Sequence, residues 1–173
     1  MFTLPLGLEI LQRTPSTLRA LLGGLSSDWT SANEGPETWS PYDVVGHLIH
    51  GERTDWMARV NIILKDGGTF HTFDRFAQFR ESQGKSLVQL IDEFEHARRD
   101  SLEALTALKL TDADLEKTGI HPKFGRVTLR QLLSTWVAHD MDHLMQISRV
   151  IGKQLKDDVG PWQEYLRVVR SSS

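Results

Sequence analysis

Three histidines carry the residue types and spacing from which chemistry can be argued: His139 and His143 in TWVAHDMDHLMQISRV, and His47 far upstream in SPYDVVGHLIHGERTDW. On a helix, the i, i+4 spacing of His139 and His143 sets two imidazoles on one face, one turn apart, where both reach a single metal ion. A second helix packed alongside can bring His47 to the same ion. Three protein nitrogens with positions left for water or substrate form the open pattern of a catalytic site rather than the closed pattern of a structural one. Nickel and zinc both suit such donors, and histidine alone does not choose between them. An ion of this kind lowers the pKa of bound water toward neutrality or stabilises a bound thiolate as nucleophile. The chain has no cysteine, so the metal has only nitrogen and oxygen donors, and any thiol must arrive as a cosubstrate.

Hydrolysis would also need a general base. Glu52, Asp55, Asp140 and Asp142 are near the histidines in sequence, but none is in phase with the ligand face of a regular helix, so no catalytic residue is nominated. Asp140 and Asp142 are read either as solvated or as acceptors that orient ligands on neighbouring helices. His50, one turn after His47, is a further nitrogen at the edge of that face, with its role open. His96 is placed on a charged surface with Glu93, Glu95, Arg98 and Arg99, and His71 and His121 in loops that can border a site opening. Trp56, Trp136 and Trp162 are read as core or interface aromatics. An HxxxH pair also occurs in bundles whose histidines are satisfied without metal.

The elements that must position these residues are helical. Ser40 before Pro41 and three before Asp43, Ser86 three before Gln89, and Thr128 three before Gln131 are capping-box starts. With the apolar period they predict long helices over 4–23, 41–65, 86–108 and 128–152, the first interrupted where Pro15 opens a second piece. The stripe Leu132, Trp136, His139, His143, Ile147, Val150 puts the histidine pair on the buried face of the last helix. On the second helix Val44, His47, Gly51, Thr54, Ala58 and Ile62 share a face. Short helical pieces are expected near 73–80, 111–117 and 161–169, and GIHPKFGRV reads as a loop. Four amphipathic helices without an alternating strand predict an all-α four-helix bundle, and connections of about 15 to 20 residues favour crossover topology over tight up-and-down loops.

Composition narrows the function. A chain of 173 residues suits one domain, 1–173. A net charge of −3 with cations spread among acids argues against nucleic acid as partner. No basic, apolar leader and no membrane-length apolar stretch are present, which predicts a cytoplasmic protein without a membrane partner.

With these residues in view, the sequence resembles the DinB-like family of four-helix-bundle metalloproteins, through WSPYDVVGHL, then HPKFGRVTLRQLLSTWVAHDMDHLMQISRV, then VGPWQEYL. The resemblance spans nearly the whole chain. It implies a bundle with long crossovers, a divalent metal such as nickel or zinc on His47, His139 and His143, and a homodimer. It leaves the reaction open: some relatives are transferases or isomerases that use a low-molecular-weight thiol, and others have no assigned activity. Three readings follow: a metal-dependent enzyme acting on a small molecule, by thiol transfer or hydrolysis; a non-catalytic metal- or small-molecule-binding bundle; and a purely structural helical protein.

Overall fold

The computed structural model describes residues 2–170. Its longest helices, and the first, begin where the caps lie. Thr3 accepts from the amide of Leu6 at the head of α1 (Leu4–Leu11). Complete capping boxes open α4 (Pro41–Thr54), α7 (Leu87–Ala107) and α9 (Leu129–Lys153), on Ser40, Ser86 and Thr128 respectively. The remaining helices are α2 (Thr14–Leu22), α3 (Ser27–Thr30), α5 (Trp56–Lys65), α6 (Gln78–Glu81) and α8 (Asp112–Leu115), and a 3-10 turn covers Gly160–Glu164. The bundle is thus α1–α2, α4–α5, α7 and α9, as the apolar period predicts, with two of its four members broken.

Both breaks have local causes. Pro15 has no amide hydrogen to donate to the carbonyl of Leu11, four residues back, so α1 cannot run on through it. The bend lets α1 pack on α9 while α2 packs on α7. At Asp55 the backbone departs from helical angles (φ −116°, ψ −66°), although the Asp55 amide still donates to the Gly51 carbonyl at 3.0 Å. This break corrects the face read for the second helix: beyond it the buried set is Trp56, Val60 and Ile63, while Thr54 and Ala58 are exposed and Ile62 is half-buried.

The segment read as a loop, GIHPKFGRV, is instead the greater part of a β-hairpin. Strand β1 (Thr118–His121) pairs antiparallel with β2 (Gly125–Thr128), Thr118 facing Thr128 and His121 facing Gly125. Its edge is extended by the 66–77 connection: the Phe70 amide donates to the Ile120 carbonyl at 2.9 Å and the Ile120 amide to the Gly68 carbonyl at 3.0 Å. Gly119 permits the close approach, since a Cβ there would stand 2.6 Å from the Phe70 ring. The hairpin and the 66–77 connection are therefore tied into one wall.

Two apolar clusters fill the interior. One gathers Leu11, Trp56, Val60, Leu105, Leu133 and Trp136; the other gathers Leu18, Leu22, Val44, Leu48, Phe94 and Ile147. Between them along the chain, on α4, α7 and α9, stand Glu52, Arg98 and Asp140, all buried. No helix among the described residues is long and apolar enough to cross a membrane.

Candidate metal centre

The fold brings the three sequence-marked histidines together. His47 comes from α4, and His139 and His143 from successive turns of α9. Their Nε2 atoms converge: His139 Nε2 lies 3.2 Å from that of His47 and 3.1 Å from that of His143. Aromatic rings fix the imidazoles from the side. Trp39 packs on His47 at 4.7 Å between ring centroids, Phe73 meets His47 edge-on at 5.5 Å, and Trp56 meets His139 at 5.2 Å.

A neutral imidazole nitrogen offers one hydrogen or one lone pair. His139 Nε2 faces two other Nε2 atoms, so in the absence of a cation it serves one neighbour and leaves the other contact unmade. Protonation does not resolve this, because burial pushes His47 down to about 3 and His139 down to about 2, with the neighbouring histidines adding to the effect. Three lone-pair donors held neutral and aimed at one point fit a divalent ion. An ion roughly 2.0–2.1 Å from each nitrogen, in tetrahedral or octahedral array, sets neighbouring nitrogens about 2.9–3.4 Å apart, which brackets both separations. His143 is further oriented by Gln146, whose Oε1 accepts from His143 Nδ1 at 2.8 Å. The Nδ1 atoms of His47 and His139 are buried without a partner.

The other candidates divide. His50 is buried but turned away from the three, its Nδ1 3.1 Å from Glu81 Oε2 on α6. His96 is exposed, as read from sequence, and its Nδ1 pairs with the Asp92 carbonyl. His71 and His121 line the opening of the cavity above the site. Trp56 and Trp136 stack in the core at 5.5 Å, whereas Trp162 is 67% exposed and belongs to no core cluster.

Arg98 is not on the charged surface. It is 1% exposed and grips Asp140 with two nitrogens, Nη1 to Oδ2 at 2.6 Å and Nη2 to Oδ1 at 2.9 Å. The same guanidinium donates to Glu52 Oε1 at 2.8 Å and to the Leu11 carbonyl at 2.9 Å, and Trp136 Nε1 donates to Glu52 at 3.0 Å. Asp140 is therefore neither solvated nor bonded to a histidine; it clamps α9 to α7 directly behind His139. Asp142 lines the cavity.

Sequence reasoning missed Asp55. The helix break turns its carboxylate into the cavity that the histidines floor, where Arg59 Nη2 pairs with it at 2.7 Å. Burial outweighs that cation and pushes Asp55 up to about 6. A strictly regular helix does not predict this orientation, and no residue in the local sequence marks the break. The cavity measures about 850 Å³ and is walled by Trp39, Trp56 and Phe73 beside the histidines, a size suited to a small molecule.

Comparison with known proteins agrees with this architecture. Residues 10–147 match the family described as the DinB superfamily. No curated protein matches the sequence. Among solved structures, the fold is similar to that of YfiT from Bacillus subtilis, described as a probable metal-dependent hydrolase with an unusual four-helix bundle topology. That likeness has a TM-score of 0.77 at 16% identity and covers 89% of this chain and 90% of YfiT.

Proposed function

The chain belongs to the DinB superfamily, and we propose that it is a divalent-metal-dependent enzyme of hydrolytic type acting on a small molecule. The observation that carries this reading is the convergence of three neutral histidine nitrogens on the floor of a cavity that also holds a carboxylate, Asp55. The description of YfiT as a probable metal-dependent hydrolase supports it.

A divalent ion on His47, His139 and His143 supplies a Lewis acid that polarises a substrate oxygen or lowers the pKa of a nucleophile. The protein's own groups do the rest. Asp55, pushed up to about 6, is ionised at neutral pH yet basic enough to take a proton from an attacking water. Arg59 holds the carboxylate in place. Trp39, Trp56 and Phe73 keep bulk water from the imidazoles and give the substrate an apolar surface.

Protein purified without a nickel column, analysed for elements and then assayed on esters, amides and lactones, tests the proposal. About one equivalent of divalent metal and metal-dependent hydrolysis are expected. Turnover that appears only with an added thiol and an electrophile would replace hydrolysis by thiol transfer. Full metal with neither activity would make this a non-catalytic metal-binding bundle, and absence of metal would leave a structural one.

A further inference from the structure

The charges around the cavity divide by element. The loop residues Glu34 and Glu37 line it together with Asp142 of α9, and Arg149 of α9 is already engaged by Glu34 at 2.7 Å. A second wall, made by α5, the 66–77 connection and the hairpin, presents Arg59, His71, Arg75, His121 and Lys123, with Asp55 at the head of α5 the only acid these elements add to the cavity lining.

The groups on this second wall are donors with capacity to spare. Arg59 spends one nitrogen on Asp55, but its Nε is buried without a partner, and its guanidinium is held over the Phe70 ring at 5.2 Å. His121 Nδ1 accepts from the amides of Lys123 and Phe124 at 3.1 and 3.2 Å, which places its hydrogen on Nε2 as a further donor. Burial and the nearby Arg59 and Lys123 cations hold that ring below the ordinary imidazole value. Arg75 and Lys123 have no carboxylate partner among the described residues; each rests instead on an aromatic ring, Arg75 over Trp39 at 5.8 Å and Lys123 over Phe124 at 5.5 Å. Aromatic support leaves the charged edge of each cation free to bind. A surface of unspent donors from a guanidinium, an imidazole and two cations is complementary to an oxyanion.

We propose that the substrate carries an oxyanionic group, a carboxylate or a phosphate, which the α5–hairpin wall grips through Arg59, Arg75, His121 and Lys123. The reacting bond then lies over the three histidines and Asp55. This deepens the function proposed above and rests on the cavity being its substrate site.

Calorimetric titration of the metal-loaded full chain with benzoate, phenyl phosphate and the neutral isostere benzamide tests it. Benzoate or phenyl phosphate should bind more tightly than benzamide, and the tighter of the two identifies the anion class. The exposed double variant Arg75→Gln/Lys123→Gln should weaken that anion about ten-fold, as expected for loss of charge-assisted contacts, while leaving benzamide affinity and metal content unchanged. Equal affinity for benzoate and benzamide, no anion binding, or an anion affinity that the double variant leaves intact would overturn the proposal. A His139→Ala protein separates this from the metal reading. If it lacks metal yet still binds the anion in an Arg75- and Lys123-dependent way, the wall stands without the ion. If anion binding vanishes there and is indifferent to the double variant, the anion was bound to the ion alone.

Discussion

His143 donates its Nδ1 hydrogen to Gln146 Oε1 across 2.8 Å, one turn along the same helix. This commits the proton to Nδ1 and leaves the Nε2 lone pair facing the other two histidines. Such outer partners typically change metal affinity by about 10- to 100-fold. Gln146→Leu should therefore weaken metal binding by at least about ten-fold, and Gln146→Glu should restore or strengthen it. Competition against a chelator of known affinity reads both, and unchanged affinity in Gln146→Leu would show that the bond does not orient the ligand.

Alanine at His47, His139 or His143 should abolish stoichiometric metal, because the remaining two nitrogens form a poor chelate. His50→Ala should not, since its ring is engaged with Glu81. Elemental analysis of the four variants checks this. Circular dichroism should stay helical throughout, because each cluster keeps most of its members, Trp39 and Trp56 being the ones that meet the histidine rings.

The metal-free protein should lose stability as pH falls below about 6.5. Burial pushes His47 down to about 3 and His139 down to about 2 in the fold, against the ordinary imidazole value near 6.5. Below 6.5 the unfolded chain therefore takes up protons that the folded chain refuses. The stability these rings contribute is complete above that pH and drains away toward 3, at up to about 1.4 kcal/mol per pH unit for each ring. Urea denaturation with chelator at pH 8, 6 and 5 measures the slope. A His47→Ala/His139→Ala protein should show a shallower one.

If Asp55 takes the proton, the acid limb of the pH–rate profile should fall near 6. Asp55→Asn should lower kcat about 100-fold while leaving metal content intact. A profile in Asp55→Asn that keeps both its height and its acid limb would assign the proton elsewhere.

Arg98→Met strands two buried carboxylates and should destabilise the fold by about 3–5 kcal/mol. Adding Asp140→Leu and Glu52→Leu removes the stranded charge and should recover much of that loss, because a buried ion pair is often replaceable by apolar packing of similar volume. Denaturant midpoints of the single and triple variants decide the point. If the triple variant is no more stable than Arg98→Met, the cluster contributes more than mutual compensation.

The bundle was legible because its signals are local. Ser40, Ser86 and Thr128 each bond an amide three residues on, and the Leu132 to Val150 stripe repeats at helical intervals. His139 and His143 were legible for the same reason. What escaped depends on distant partners or single-residue departures from regularity. Arg98 reads as surface among Glu93, Glu95 and Arg99 because its acids are 42 and 46 residues away. Asp55 reads as out of phase because phase counting assumes an unbroken helix. The hairpin has strands of only four residues, and one of them contains Gly119, whose missing side chain makes room for Phe70. Strand propensity carries little information over so short a run.

The bond from Arg98 to the Leu11 carbonyl is available because Pro15 cannot donate there. Positions 15 and 98, far apart in the chain, thus meet at one oxygen atom, which the proline leaves open and the guanidinium fills. An alanine at 15 would supply a rival amide donor and favour a single straight rod, drawing α2 from its seat on α7; losing the guanidinium would leave the proline's gap open. A helix break near the start of the chain is thereby fastened to the buried charges at its middle through a single lone pair.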